Sequence, residues 1–175
     1  TRKESSAASD VYKRQAYNVL VWQAQQARTT IPHRTDNAPN GDGIYLPDGG
    51  GPLRVTRDST ADLHLTVFGD STAAGLGVES ADDTPGVRVA RRVAADTGRA
   101  IRYSNKAIVG ATSKGLAAQI DAMLIAGLRP DVAVVLVGAN DVTATNGIRA
   151  SANRLGAAVR RLREPGADND HGTGL

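Results

Sequence analysis

Three short apolar runs, each ending in a glycine-bearing loop and each separated from the next by one helical stretch, constrain this chain more than any other feature. The runs are LHLTVF (63 to 68), IRYSNKAI (101 to 108) and DVAVVLV (131 to 137), whose β-branched and aromatic content predicts strands. Between them, 85 to 96 and 115 to 126 carry helical spacings, with Leu116, Ile120 and Met123 on one face and Gly98 and residues 127 to 130 as stop signals. Strands joined through single helices pair in parallel by right-handed crossovers, and a run as apolar as VAVVLV is expected of a strand covered on both faces. A last helix is predicted over 148 to 163, where Ile148, Ala152, Leu155, Val159 and Leu162 recur at spacings of three and four. Its Arg160, Arg161 and Arg163 lie where cations favour the helix dipole, and so read as a solvated helix end. The expected fold is α/β, a doubly wound parallel sheet.

The remaining segments differ in character. Residues 1 to 15 (TRKESSAASDVYKRQ) are polar and aperiodic, unlike everything after them, and read as a non-native, adapter-like segment outside the fold. Residues 16 to 31 begin apolar and turn polar and basic; they read as the end of a signal or membrane-anchor helix, or equally as an ordinary short helix. Residues 32 to 60 concentrate Pro, Gly, Asp and Asn and are expected to form a flexible linker, so the folded domain is placed at 61 to 175. An apolar stub followed by a long linker favours an exported or membrane-tethered protein.

Composition narrows the classes further. The 175 residues suffice for one domain with a real core. Hydrophobic residues make up 41% but aromatic residues only 3%, so the core must be built from small aliphatic side chains. The net charge of +3 is scattered and lacks the clustered cations and stacking aromatics of a nucleic-acid site. With no cysteine, thiol catalysis, a disulfide scaffold and Cys-ligated zinc are excluded. No cofactor or metal is called for.

Open α/β sheets build their sites where loops converge at the carboxyl ends of strands. The first such loop, GDSTAAG, places Ser71 on a turn begun by Gly69 and Asp70; the second, IVGATS, carries Gly110; the third, VGANDVT, turns at Gly138 and presents Asn140 and Asp141. A serine hydroxyl attacks a carbonyl when a base takes its proton and donors receive the oxyanion, and a main-chain N–H and a carboxamide are suitable donors. Asp70 and Asp141 are expected to support the loops rather than to transfer protons.

These three blocks, in this order and at this spacing, resemble those of the SGNH (GDSL-type) serine ester hydrolases over residues 63 to about 163. The resemblance implies a three-layer αβα sandwich with a flavodoxin-like sheet, Ser71 as nucleophile, and an oxyanion hole made of the Ser71 N–H, the Gly110 N–H and the Asn140 side chain. It implies ester substrates, whether lipid, acetylated sugar or small acyl esters. Departure comes at the other end. The family supplies its base and orienting acid from a D-x-x-H block that follows further strands. Here Asp168 and His171 spell D-x-x-H directly after one helix. They read as a coincidence, so the C-terminal part of the sandwich and its catalytic base are expected to be missing. His33, in the linker, and His64, inside the first strand, are not placed to replace it. A chain of this kind is expected to be weak or inactive, with 131 to 137 left as an exposed edge. Two other classes compete: a non-catalytic acyl or glycan binder that keeps the hole, and a flavodoxin-like phosphate-binding module. The latter is disfavoured because neither G-x-G-x-x-G nor G-x-x-x-x-G-K-[ST] occurs.

Overall fold

In a computed structural model, residues 2–30 and 37–164 are described. The chain divides into two units, residues 1–35 and 36–175. The first contains one helix, α1 (Arg2–Thr30). It runs unbroken through the boundary expected at residue 15, because Ala, Gln, Arg and Lys on both sides of that point are good helix formers and no Pro or Gly interrupts them. Tyr12, Tyr17, Leu20 and Trp22 are exposed along it. Among the described residues, no helix is long and apolar enough to cross a membrane.

The second unit holds β1 (Gly43–Tyr45), β2 (Leu63–Gly69), α2 (Ser71–Ala74), α3 (Pro85–Thr97), β3 (Ile101–Asn105), α4 (Leu116–Ile125), β4 (Val132–Leu136), α5 (Ala139–Thr143) and α6 (Ile148–Arg163). The strand order is β1-β3-β2-β4, with β2 parallel to both of its neighbours. Side chains alternate across the sheet as the pleat requires. Leu63, Leu65 and Val67 of β2 pack with Val87, Ala90 and Ala94 of α3, while Phe68 points the other way, to Leu116, Ile120 and Met123 of α4 and Ala158 of α6. Helices on both faces make the three-layer αβα sandwich.

Small residues set the layer spacing. A Cβ built on Gly86 would come within 2.1 Å of the Tyr103 hydroxyl, so α3 lies against the sheet at a distance only glycine permits. That helix is framed by Thr84 as N-cap, Pro85 in its first turn and Gly98 in the left-handed conformation at its end.

Two expectations need correction. The 32 to 60 segment is not wholly a linker, since β1 pairs antiparallel with β3 and makes the sheet mixed rather than all-parallel. Tyr45 is completely buried, its hydroxyl donating to the Gly41 carbonyl at 2.7 Å and its ring lying edge-on to Tyr103 and beneath the Arg91 guanidinium. A three-residue strand shows no alternation of its own, and the surrounding Gly and Pro hid it. Second, β3 ends at Asn105 rather than at Ile108, although Lys106 and Ile108 N–H still donate to the Val67 and Gly69 carbonyls of β2. As expected of 131 to 137, β4 lies at an edge: it pairs with β2 alone among the described strands, Val134 and Leu136 pack on one face and Val135 on the other, and Val132 stays 39% exposed.

Candidate active site

The chain reverses at the carboxyl end of β2 around Gly69, whose φ is +145°, and a Cβ there would fall 1.8 Å from the Leu136 carbonyl oxygen. Only glycine fits a backbone that is both left-handed and in contact with the next strand. Asp70 follows as the N-cap of α2. It is 1% exposed, one carboxylate oxygen accepting from Thr72 N–H at 3.0 Å and the other from Gly138 N–H at 3.3 Å. Ser71 is therefore the first residue of a short helix, half-buried, and its hydroxyl has no hydrogen-bond partner among the described residues.

Hydrogen bonds tie the three loops to one another in pairs. Asp70 N–H donates to the Leu136 carbonyl at 3.1 Å, joining the ends of β2 and β4, and Ile108 N–H donates to the Gly69 carbonyl at 3.0 Å, joining the Gly110 loop to the Ser71 turn. The Asn140 carboxamide donates to the Ala111 carbonyl at 2.8 Å, closing the third side. The other Asn140 N–H has no partner among the described residues. Gly110 is exposed at φ +81°, and neither its N–H nor that of Ser71 is engaged by backbone among the described residues.

Asp141 holds the Asn140 loop from below. One carboxylate oxygen receives Ser113 N–H at 2.7 Å; the other receives the Ser113 hydroxyl at 2.8 Å, the Asn146 amide at 2.9 Å and the Ser151 hydroxyl at 3.0 Å. Burial alone would raise its pKa, but these four donors outweigh it and hold the carboxyl below the ordinary carboxylate value. Four donors thus occupy this carboxylate. A cavity of about 260 Å³ adjoins it, lined in part by Val137, Gly138, Val142, Ile148 and Leu155, and does not include Ser71.

No histidine is brought to Ser71 among the described residues. His64 is 9% exposed, with Nε2 at 3.0 Å from the Ser104 hydroxyl and 3.3 Å from that of Thr66. Burial, with the nearby Arg102 charge, lowers its pKa and keeps the ring neutral. His33, Asp168 and His171 lie outside the described residues.

Sequence reading missed Gln119. This residue of α4 is 3% exposed, accepts from Gly69 N–H at 2.9 Å and donates to the Gly69 carbonyl at 2.8 Å. The available signal was a polar residue between Leu116 and Ile120, on the face of α4 that had to be buried. Ser113, Asn146 and Ser151 were also missed and had no such signal, since each is a common loop or helix residue.

Residues 67–169, more than half of the chain, match the GDSL-like lipase/acylhydrolase family. The chain belongs to that family. It is 55% identical over 152 residues to a GDSL-like esterase of Mycobacterium tuberculosis, a match covering 87% of this chain and 48% of that protein. The chain thus spans about half the length of the curated relative it matches. Among solved structures, TesA is similar with 30% identity and a TM-score of 0.49, over 57% of this chain and 54% of TesA. The psychrotrophic esterase EstA from Pseudoalteromonas sp. is similar with 24% identity and a TM-score of 0.49, over 58% of this chain and 54% of EstA.

Proposed function

We propose that this member of the esterase family carries the nucleophile and oxyanion hole of a serine carboxylic ester hydrolase. The observation that carries the reading is the pairwise tying of three loops at one end of the sheet, with the Ser71 hydroxyl, the Ser71 and Gly110 N–H groups and one Asn140 N–H left without partners among the described residues. In the reaction, Ser71 Oγ attacks the acyl carbon and its proton passes to solvent water, no side chain among the described residues being placed to take it. The carbonyl oxygen becomes an oxyanion received by the three donors, and collapse expels the alcohol with the proton returned to it. Water then attacks the acyl-enzyme in the same manner, and the second collapse returns the proton to Ser71 and releases the acid. Lipid, acetylated sugar and small acyl esters all meet these requirements.

The base is not Asp141, whose lone pairs are occupied, nor His64, whose ring is held inside the sheet. We read this chain as working without an effective base. A site that keeps its hole but loses a triad member retains about 10³–10⁴-fold catalysis over water. The test is the rate of adduct formation with a fluorophosphonate, followed over hours by intact mass. Wild type should form one adduct on Ser71, Ser71→Ala none, and His171→Ala should react like wild type. An adduct that persists in Ser71→Ala removes the nucleophile assignment, and loss of reaction in His171→Ala shows that the base lies in this chain.

A further inference from the structure

The buried, apolar face of α4 contains one amide, and both of its polar ends are directed at a single residue. Gln119 receives the Gly69 N–H and donates to the Gly69 carbonyl, across fifty positions of sequence. A buried carboxamide is costly unless satisfied, and an apolar residue at 119 would have packed with Leu116, Ile120 and Met123 without that cost. Its placement answers a specific need of the turn. Gly69 leaves the strand at φ +145°, and without Gln119 its N–H would be a buried orphan. Gly69 is also the hinge from which Asp70 and Ser71 depart, so the orientation of its peptide groups sets where the Ser71 hydroxyl and N–H point.

We propose that Gln119 is a positioning residue for the nucleophile turn: its carboxamide fixes both main-chain groups of Gly69 and thereby aims Ser71. This rests on the reading of Ser71 as the nucleophile. A displacement of about 1 Å at a reacting atom costs on the order of 100-fold in rate, so loosening the turn should be visible in reactivity well before it is visible in the fold.

Four variants of the full chain decide it, with circular dichroism confirming that each is folded at the assay temperature and fluorophosphonate adduct formation giving the rate. Gln119→Met keeps the volume and removes both contacts. Its maximal rate should fall about 10- to 100-fold, with the half-saturating reagent concentration unchanged. Ile101→Ala is the stability control, because Ile101 is fully buried next to Leu63 at the far end of the sheet from Gly69; it should react at the wild-type rate. Gln119→Glu adds a pH readout. Its ionised carboxylate can only accept, and faces the Gly69 carbonyl unfavourably, whereas its protonated acid has the same donor and acceptor pair as the amide. The ratio of its rate to wild type should therefore rise as pH is lowered through the titration of the introduced carboxyl. A pH-independent ratio overturns the proposal even where Gln119→Met does not fold. Wild-type reactivity in Gln119→Met, or equal slowing in Ile101→Ala, also overturns it. Ser71→Ala separates the two levels of the argument: if wild type reacts no faster than Ser71→Ala, the nucleophile reading itself has failed and this proposal with it.

Discussion

Replacing Asp141 by asparagine tests the claim that a buried carboxylate, and not the loop sequence alone, holds the Asn140 turn in place. The carboxylate accepts four hydrogen bonds between 2.7 and 3.0 Å, from Ser113 N–H, two serine hydroxyls and the Asn146 amide. Asparagine offers one oxygen for the two. If its NH₂ faces Ser113 N–H, donor meets donor, and that buried N–H loses its partner at about 1–3 kcal/mol. If the NH₂ faces the other three groups, the two hydroxyls can rotate to accept and Asn146 can flip, but every bond loses its charge assistance, which separates roughly 1.5–3 kcal/mol from roughly 1. Either arrangement gives a loss of about 2–3 kcal/mol, or roughly 4–12 °C in Tm for a chain of this size. The pH dependence follows from the depressed pKa. A carboxyl ionised more readily folded than unfolded contributes fully above its unfolded value of about 3.9, and that contribution is lost as pH falls through the folded value. The wild-type advantage over Asp141→Asn should therefore be constant from pH 7 to about 5 and shrink below 4. Urea denaturation followed by far-ultraviolet circular dichroism at several pH values measures it. A difference under about 0.5 kcal/mol at pH 7, or one that does not narrow in acid, refutes the argument.

Two other expectations are simpler to state. Gly86→Ala should destabilise by about 1–3 kcal/mol, because its methyl would press on the Tyr103 ring, whereas Gly98→Ala, left-handed but with open space around it, should cost only about 1 kcal/mol; comparable midpoints for the two in thermal melts would contradict the layer-spacing argument. The His64 imidazole should titrate below its ordinary value when followed by NMR. Because its folded pKa is lowered, the associated stability is complete above about pH 6.5 and declines as pH falls through the folded value, and a midpoint at or above 6.5 would show that the ring is not buried as described.

The sandwich was legible because its signal is local and repeated. Leu65 and Val67 against Phe68, and Leu116, Ile120 and Met123 on one helix face, display their periods within a few residues. What escaped notice depends on single long-range contacts. Tyr45 is as buried as any residue of β2, but its partners Tyr103 and Arg91 lie over forty positions away, and the Gly and Pro around it imitate a linker.

The candidate site divides along the same line. Ser71, Gly110 and Asn140 could be picked out because the proposed chemistry calls for a hydroxyl, a main-chain N–H and a carboxamide just past three successive strands, and those positions follow from the strand pattern. The groups that fix their geometry carry no such requirement. Gly69, Asp70 and Gly138 are bound by the carbonyl of Leu136, the amide of Gln119 and each other, through contacts spanning 50 to 68 positions. Each is replaceable in principle by a different donor from a different element, so no residue type is dictated at positions 113, 119, 146 or 151. A reader of sequence therefore finds the proposed reacting groups first and their supports last, and it is the supports, Gln119 and Asp141 above all, whose substitution distinguishes a turn that merely contains a serine from one that aims it.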